Sequence, residues 1–262
     1  MRSFIAWLEQ RVEAANSLLC VGLDPHPADL DSPTPQAALD FCLRLIEATA
    51  ASAAAFKPNA AFFEALGPEG VQVLKQVIAA IPEGIPVILD AKRGDIASTA
   101  EAYASAAFEA FKAHALTASP YLGKDSLDPF LKDPAHGVFL LCKTSNPGAG
   151  DLQDVLLAGV EQNTLYEKVA RLADQWNQND NLGLVVGATH PEALRRVRAL
   201  APHLWFLAPG VGAQGAELET ALAAGLRSDG MGMLIPISRA ISRSKDPQAE
   251  AEKLRLAINA AC

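Results

Sequence analysis

The stretch Ile85-Pro86-Val87-Ile88-Leu89-Asp90-Ala91-Lys92-Arg93-Gly94-Asp95-Ile96 joins a short apolar run to a charged cluster. If the apolar run is a β-strand, alternate side chains point to the same face, so Asp90 and Lys92 leave the strand end together. Residues 96–113 carry apolar side chains at helical spacing, which predicts a helix after the strand. This is half of a βα unit, and ligands bind at such strand ends. A surface salt bridge that caps the strand is the alternative interpretation.

Short apolar runs recur along the 262 residues, with helix-length segments between them. The runs span residues 18–23, 53–56, 85–89, 115–118, 137–142, 182–186, 204–207 and 231–237. Eight strands that alternate with helices, in a chain near the ~250 residues typical of the fold, predict an α/β protein with one (β/α)8 TIM barrel over residues 1–262. A doubly wound sheet is the alternative. Residues 1–16 mix charged and apolar side chains, which predicts an amphipathic helix before the first strand rather than a signal peptide.

Composition excludes several classes of partner and site. Half of the residues are hydrophobic, the formal net charge is −8, and no Lys/Arg-rich block occurs, so a nucleic-acid polymer is not expected as a partner. No apolar stretch approaches the ~18 residues of a membrane span, so no membrane association is expected. The four cysteines are scattered without Cys/His ligand spacing, which predicts reduced thiols, a cytoplasmic protein and no metal site of that type.

The segments that follow the apolar runs are unusually polar. Asp24 follows the first run, Lys57 the second, and the Asp90/Lys92 cluster the third, while residues 143–146 and Arg239 follow the fifth and eighth. A barrel gathers the carboxyl ends of its strands on one rim, where active sites are built. Several charged side chains on one rim indicate a site more strongly than a single one does.

The segment Gly210-x-Gly212-x-x-Gly215 matches the dinucleotide-binding pattern, but Asp229 precedes the next apolar run instead of following it as that pattern requires. In a barrel, the loops after the seventh and eighth strands commonly bind phosphate through glycine-rich backbone. Arg239 stands directly at the eighth strand end and would supply the positive charge. A phosphate site is therefore favoured over a dinucleotide site.

The pattern Asp90-x-Lys92-x-x-Asp95-Ile96-x-x-Thr99 resembles the signature of the orotidine 5′-monophosphate (OMP) decarboxylase family. Residues 21–25, 56–59, 144–148, 208–211 and 238–241 resemble the family's other site segments, in the same order. The resemblance covers most of the chain and is closest to the bacterial branch with the Lys-Pro-Asn form at residues 57–59. Many members have Gly-Arg where this chain has Ser238-Arg239, which leaves the backbone geometry at the phosphate open.

The resemblance implies decarboxylation of OMP to UMP and CO2 in de novo pyrimidine biosynthesis, by a carboxy-lyase without metal or organic cofactor. It implies that Lys92 donates a proton to C6, that Asp90 lies near the departing carboxylate, and that Lys57 keeps Asp90 ionised and binds ribose hydroxyls. Decarboxylation at C6 leaves a carbanion without a conventional electron sink, so alternating charges that stabilise it make chemical sense.

The same resemblance implies roles in substrate binding. Asp24 would bind a ribose hydroxyl, Ser145 would contact the pyrimidine edge, and Gln214 with Arg239 would bind the 5′-phosphate. Distant phosphate contacts can supply binding energy that is expressed in the transition state, often by ordering a loop.

The family resemblance also implies a homodimer, in which Asp95 and Thr99 reach into the neighbouring subunit's site. Asp95 would be one of the catalytic residues there. The glycine-rich residues 148–150 and 210–215 are candidate moving parts of each site.

Three alternatives stay open at the level of sequence. A related sugar-phosphate decarboxylase or isomerase would keep the Asp-x-Lys pair and the phosphate loop, but normally needs a metal. A Schiff-base aldolase would use Lys57 or Lys92 as a neutral nucleophile, whereas the flanking carboxylates favour the charged form. A non-catalytic nucleotide-binding barrel would bind UMP without turnover.

Overall fold

The strands of the chain form one closed parallel sheet. The computed structural model describes residues 2–159, 163–210 and 216–262, and within them eight strands pair in parallel. They are β1 (Leu19–Leu23), β2 (Ala55–Pro58), β3 (Ile88–Arg93), β4 (Ala115–Ala118), β5 (Gly137–Lys143), β6 (Leu182–Val186), β7 (Phe206–Leu207) and β8 (Met233–Ile237).

The two ends of the sheet meet between β2 and β3. The strand order is β2-β1-β8-β7-β6-β5-β4-β3, and parallel bridges pair Phe56 with Val87 and Asn59 with Asp90. The Phe56 N–H donates to the Pro86 carbonyl over 2.9 Å across the same seam. The sheet therefore closes into a barrel, which confirms the predicted (β/α)8 fold and excludes the doubly wound alternative.

Helices alternate with the strands around the barrel. They are α1 (Phe4–Ala15), α2 (Pro35–Thr49), α3 (Ala60–Glu64), α4 (Gly67–Ala80), α5 (Ala97–Ser105), α6 (Asp128–Leu131), α7 (Leu165–Trp176), α8 (Pro191–Leu200), α9 (Ala216–Gly225), α10 (Arg239–Ser242) and α11 (Pro247–Ala260). Short 3₁₀ turns occupy Pro27–Asp29 and Pro147–Asp151.

The region around β3 differs from the sequence prediction. The strand does not stop at Leu89 but continues through the charged residues to Arg93. The helix that follows is α-helical only over α5 and then widens into a π-helical turn at Ala106–Ala110. The periodicity of residues 96–113 predicted the helix but could not resolve the change in hydrogen-bonding pattern.

Helix α1 covers the amino-terminal end of the barrel. Ser3 caps the helix by accepting a hydrogen bond from the Ala6 N–H, and Phe4 is fully buried. A Cβ atom at Gly137, the first residue of β5, would lie 2.3 Å from the Phe4 ring, so only glycine allows this contact. Burying a phenylalanine contributes about 1.5–3 kcal/mol. With this end sealed, the opposite rim is left for a site.

The barrel strands are buried on both faces. Every residue of β1 and of β6 is buried, as expected when helices cover the outside and side chains fill the inside. Over the three described stretches of the chain, no helix combines the length and the apolar character that crossing a membrane requires.

Candidate active site

A carboxylate lies between two lysines at the carboxyl ends of β2 and β3. The Lys57 Nζ is 2.9 Å from Asp90 Oδ2, and the Lys92 Nζ is 2.6 Å from Asp90 Oδ1. The side chains of Lys57 and Asp90 are only 8% and 12% exposed, whereas that of Lys92 is 52% exposed. The buried Lys57–Asp90 pair therefore anchors the cluster, and Lys92 is the member of the cluster that a ligand can reach.

Burial and neighbouring charges shift the pKa values of Asp90 and Lys57 in opposite directions, and the effect of the charges is the larger. Burial alone would raise the pKa of Asp90, but the Lys57 and Lys92 ammonium groups lower it from 3.8 to about 2. Burial alone would lower the pKa of Lys57, but the Asp24 and Asp90 carboxylates raise it above its usual value. Both groups stay ionised at neutral pH, so the site offers a fixed array of alternating charges.

The lowered pKa of Asp90 predicts a pH-dependent contribution to stability. A carboxylate with a depressed folded-state pKa stabilises the protein above its unfolded pKa of 3.8, and this contribution is lost as the pH falls to about 2. Relative to the Asp90→Asn variant, wild type should lose about 2 kcal/mol of unfolding free energy between about pH 5 and about pH 2. Urea denaturation of both proteins at each pH measures this change. A difference in unfolding free energy between the two proteins that stays the same at both pH values would contradict the prediction.

A bulge in β3 presents Asp90 and Lys92. Leu89 pairs with Leu116 of β4 and Arg93 pairs with Ala118, so the three residues between them on β3 oppose one residue on β4. Lys92 adopts a left-handed backbone conformation with φ 47°, which is unusual for a residue with a side chain. The two side chains do emerge together, but they do so through this bulge and not through simple strand alternation.

Thr117 is the one residue of β4 that faces the bulge, and the sequence analysis missed it. Its Oγ1 donates to Asp90 Oδ1 over 2.9 Å and accepts from the Ala91 and Lys92 N–H groups at 3.1 and 2.9 Å. The only signal in the sequence was a hydroxyl near the end of an apolar run. The structure shows that this hydroxyl links β4 to the charged cluster.

Asp24 lies on the same rim, at the end of β1. Ser238, which follows β8, donates from Oγ to Asp24 Oδ2 over 2.5 Å. A Cβ atom at Gly22 would lie 1.8 Å from Ser238 Oγ, so glycine is needed at that position for this approach. Asp24 Oδ1 is buried and accepts no hydrogen bond from the described residues. The carboxylate is thus held in place with one oxygen still able to accept.

A cavity of about 520 Å³ opens beside Asp24. Arg239, exposed at the start of α10, lines it together with Ser238 and Gly210. Gly210 has φ 97°, and a Cβ atom there would lie 3.7 Å from Ser145 Oγ, so Ser145 adjoins the same part of the rim. Asp24 and Arg239 therefore line one opening, and Ser145 lies next to Gly210 at its edge.

The segment after β5 is held by side chains from the following loop. The buried Lys143 ammonium contacts Asp154 Oδ1 at 2.6 Å. Gln153 binds Thr144 at two points, since its Oε1 accepts from the Thr144 N–H at 2.9 Å and its Nε2 donates to Thr144 Oγ1 at 2.8 Å. These contacts fix the backbone that leads into Ser145, and the sequence did not reveal them.

Two of the residues named from sequence, Asp95 and Thr99, are not joined to the cluster in the described structure. Asp95 accepts a hydrogen bond from the Ile96 N–H through Oδ1, and Thr99 is exposed on the first turn of α5. Neither is among the described residues that line the cavity. Gln214, together with the rest of residues 211–215, lies outside the described residues.

The described residues, which exclude 160–162 and 211–215, contain no group of three or more His, Cys, Asp or Glu side chains arranged to hold a metal ion. His26 lines the cavity beside Asp24, whereas two other histidines pack against aromatic rings. His114 packs edge-on against Trp7, and His136 stacks on Phe108.

Known proteins share both the sequence and the fold. A curated protein from Roseiflexus sp. (strain RS-1), named orotidine 5′-phosphate decarboxylase, is 49% identical over 256 residues, which cover 94% of this chain and 93% of the relative. The solved structure of Leishmania donovani OMP decarboxylase is 56% identical, with a TM-score of 0.90 and coverage of 99% of this chain and 98% of the other. A solved structure of a putative orotidine-monophosphate-decarboxylase from Toxoplasma gondii is 48% identical, with a TM-score of 0.95 and coverage of 99% of this chain and 96% of the other.

The sequence profile of one family matches residues 17–254. The match begins two residues before β1 and ends within the last helix, α11. That span holds the two lysines and the carboxylate at the ends of β2 and β3, and also Asp24 and Arg239. Because the match takes in nearly the whole barrel and its charged rim, the chain belongs to the orotidine 5′-phosphate decarboxylase / HUMPS family.

Proposed function

We propose that this chain is a carboxy-lyase that converts OMP to UMP and CO2 without a metal or organic cofactor, with Lys92 as the proton donor. The observation that carries the proposal is the Lys57–Asp90–Lys92 array on the rim of the barrel. Its relatives bear the name of this activity at about half identity over nearly full length. The activity would serve the last step of pyrimidine nucleotide synthesis.

The chemistry requires a positive charge and a proton at C6 of the pyrimidine. The C6–carboxylate bond breaks, CO2 leaves, and the bonding electron pair stays on C6. Lys92 Nζ then gives one proton to C6, forms the C6–H bond of UMP and is reprotonated from solvent. A pre-positioned ammonium stabilises the developing carbanion before it donates, and such electrostatic stabilisation is usually the largest single catalytic contribution.

Asp90 has two roles in this proposal. It holds the Lys92 ammonium at 2.6 Å, and its negative charge faces the substrate carboxylate. Two like charges ~4 Å apart repel by about 4 kcal/mol at an effective dielectric of 20, and the departure of CO2 relieves that repulsion. Lys57 keeps Asp90 ionised, as its 2.9 Å contact and the lowered pKa of Asp90 indicate.

Substrate binding would use the rest of the rim. Asp24 accepts a ribose hydroxyl, Ser145 contacts the pyrimidine edge, and Arg239 binds the 5′-phosphate with help from Gln214. The cavity that Asp24 and Arg239 line supports this assignment, as does the free acceptor capacity of Asp24 Oδ1.

The Arg239→Ala variant should raise KM for OMP about 30-fold or more, because a charge-assisted contact to the phosphate contributes about 2 kcal/mol. Inhibition by uridine, which has no phosphate, should stay unchanged. The exposed Arg195 on α8, which pairs with Glu192, gives a matched control in Arg195→Ala. Equal losses of UMP and uridine affinity in Arg239→Ala would contradict a phosphate role.

The alternatives predict different behaviour. A related sugar-phosphate enzyme would lose activity in chelator. A Schiff-base aldolase needs a neutral lysine, whereas nearby carboxylates raise the pKa of Lys57. A non-catalytic barrel would bind UMP without turning over OMP.

The decisive experiment follows the ultraviolet decay of OMP with purified, chelator-treated protein. Conversion of OMP to UMP at the same rate as with untreated protein supports the proposal. A folded protein that binds UMP but leaves OMP intact would overturn it in favour of the non-catalytic barrel, and activity restored only by added metal would favour the sugar-phosphate class.

We further propose a homodimer in which Asp95 and Thr99 complete the site of the neighbouring subunit. Apolar side chains are exposed in the segments that follow β3 and β4, with Ile96 at 57%, Leu122 at 44% and Tyr121 at 79%. A second copy of the chain would bury such side chains. Size-exclusion chromatography with light scattering tests the mass.

Mixing two inactive variants tests the shared site. In a mixed dimer of Lys92→Ala and Asp95→Ala, one site carries both defects and the other carries neither. Random exchange of subunits should therefore restore about one quarter of wild-type activity. A mixture that stays inactive after exchange would place Asp95 in its own subunit's site.

We also propose a cytoplasmic location. The described structure leaves all four cysteines as free thiols, three of them buried, and free thiols persist in reducing compartments. Recovery of the protein in a membrane or secreted fraction of the producing cell would contradict this location.

A further inference from the structure

The hydroxyl of Thr117 is fully used. Thr117 is 1% exposed, and its Oγ1 donates one hydrogen bond to Asp90 Oδ1 and accepts two, from the Ala91 and Lys92 N–H groups. A hydroxyl has one donor and two acceptor lone pairs, so no capacity is left over. All three partners belong to the bulge of β3 that carries the charged cluster.

We propose that Thr117 is a positioning residue, whose hydroxyl sets the place of Asp90 and the backbone of Lys92 for proton delivery. The inference rests on the proposed decarboxylase function. Through this hydroxyl, β4 takes part in the reaction although the strand carries no charged residue.

The bulge explains why an anchor is needed. Three residues of β3 oppose the single residue Thr117, so the Ala91 and Lys92 N–H groups turn to its side chain. The hydroxyl takes the place of a main-chain acceptor. Because a left-handed conformation is costly for lysine, the hydrogen bond to the Lys92 N–H stabilises the φ of 47° from which the ammonium reaches Asp90.

Thr117 also constrains the carboxylate from the side. Asp90 Oδ1 receives both the Thr117 hydroxyl and the Lys92 ammonium, at 2.9 and 2.6 Å, while Oδ2 receives Lys57. These donors leave the carboxylate little freedom to rotate. Without the hydroxyl, Oδ1 keeps only Lys92, whose own backbone has lost its anchor, so both reacting groups shift together.

The expected defect is in turnover and not in ligand binding. The proposed ribose and phosphate contacts, Asp24 and Arg239, follow β1 and β8, which are separated from β4 in the closed sheet. A misplacement of about 1 Å at the reacting groups can lower a rate about 100-fold. Thr117→Val, which keeps the shape of the side chain and removes the hydroxyl, should therefore lower kcat about 100-fold and leave the UMP dissociation constant within about threefold.

Two variants separate the hydroxyl from general packing. Thr117→Ser keeps all three hydrogen bonds and should retain kcat within about threefold of wild type. Thr49→Val is the matched control, because Thr49 is equally buried and, among the described residues, its hydroxyl bonds only the Leu45 carbonyl within α2. It should leave kcat unchanged.

Exchange at C6 of UMP isolates the proton transfer. In D2O, neutral Lys92 Nζ removes the C6 proton of bound UMP, the electron pair stays on C6, and Nζ then returns a deuteron. Proton NMR follows the loss of the C6–H signal. Thr117→Val should slow this exchange about as much as it lowers kcat, an effect that loss of fold stability alone would not produce while UMP still binds.

The outcomes are distinguishable. Wild type without OMP turnover would overturn the proposed function, whereas active wild type with equally active Thr117→Val would overturn only the role of Thr117. A Thr117→Ser variant as impaired as Thr117→Val would also overturn it. If Thr117→Val does not fold, Thr117→Cys, with its weak S–H donor, replaces it, and wild-type kcat and exchange in that variant would contradict the proposal.

Discussion

Replacing Lys92 with alanine should lower kcat for OMP decarboxylation by at least about 10⁴-fold. Loss of a general acid costs up to about 10⁴-fold, and this change also removes the countercharge that faces the developing carbanion. Lys92 is the accessible end of the charged array, at 52% exposure and 2.6 Å from Asp90. The rate of ultraviolet decay of OMP measures the effect.

The control is Lys253→Ala, because Lys253 on α11 has a similar exposure of 56% and pairs with a carboxylate, Glu250. It should keep wild-type kcat. Binding of UMP to Lys92→Ala should persist, which shows that the site is intact. A small added amine should restore part of the activity by supplying a proton. Turnover by Lys92→Ala within tenfold of wild type would move the proton donor to another group.

Replacing Asp90 with asparagine should lower kcat by about 10³-fold or more. The change keeps the size of the side chain but removes the charge that orders the Lys57 and Lys92 ammonium groups. Loss of one pre-organised electrostatic contact costs about 10²–10³-fold, and two lysines depend on this one carboxylate. The repulsion between Asp90 and the substrate carboxylate also disappears, so OMP should bind at least as tightly as to wild type.

Single-turnover kinetics separates the two effects on Asp90→Asn, because it gives the OMP dissociation constant and the rate of the chemical step independently. Asp128→Asn is the control, since Asp128 forms an exposed pair with Lys124 in which both side chains are about half exposed, and such pairs contribute little. A slow chemical step combined with markedly weaker OMP binding would argue against ground-state repulsion at Asp90.

Much of the fold followed from the pattern of the sequence. Parallel strands that are buried on both faces are continuous apolar runs, so β1, β5 and β6 stand out, and α1 shows its amphipathic face. The ends of elements were less predictable. The charged residues 90–93 looked like the end of β3, yet they continue the strand because β4 and the bulge supply their hydrogen bonds.

The candidate site was accessible from sequence wherever a charged residue followed an apolar run. Asp24, Lys57, Asp90, Lys92 and Arg239 all do so, and a closed barrel brings the carboxyl ends of its strands to one rim. Thr117 and Gln153 were missed, since each is a neutral polar residue whose importance comes only from its contacts.

The sequence by itself determined the eight apolar runs, their order and the charges that follow them, because hydrophobic burial and charge are properties of single residues and their spacing. Only the tertiary structure decided that Lys57, Asp90 and Lys92 form one array, that Ser238 holds Asp24 across β1 and β8, and that one hydroxyl on β4 meets the bulge of β3. The physical reason is that these contacts join residues far apart in the chain, and their geometry depends on barrel closure and strand register, which no local pattern specifies.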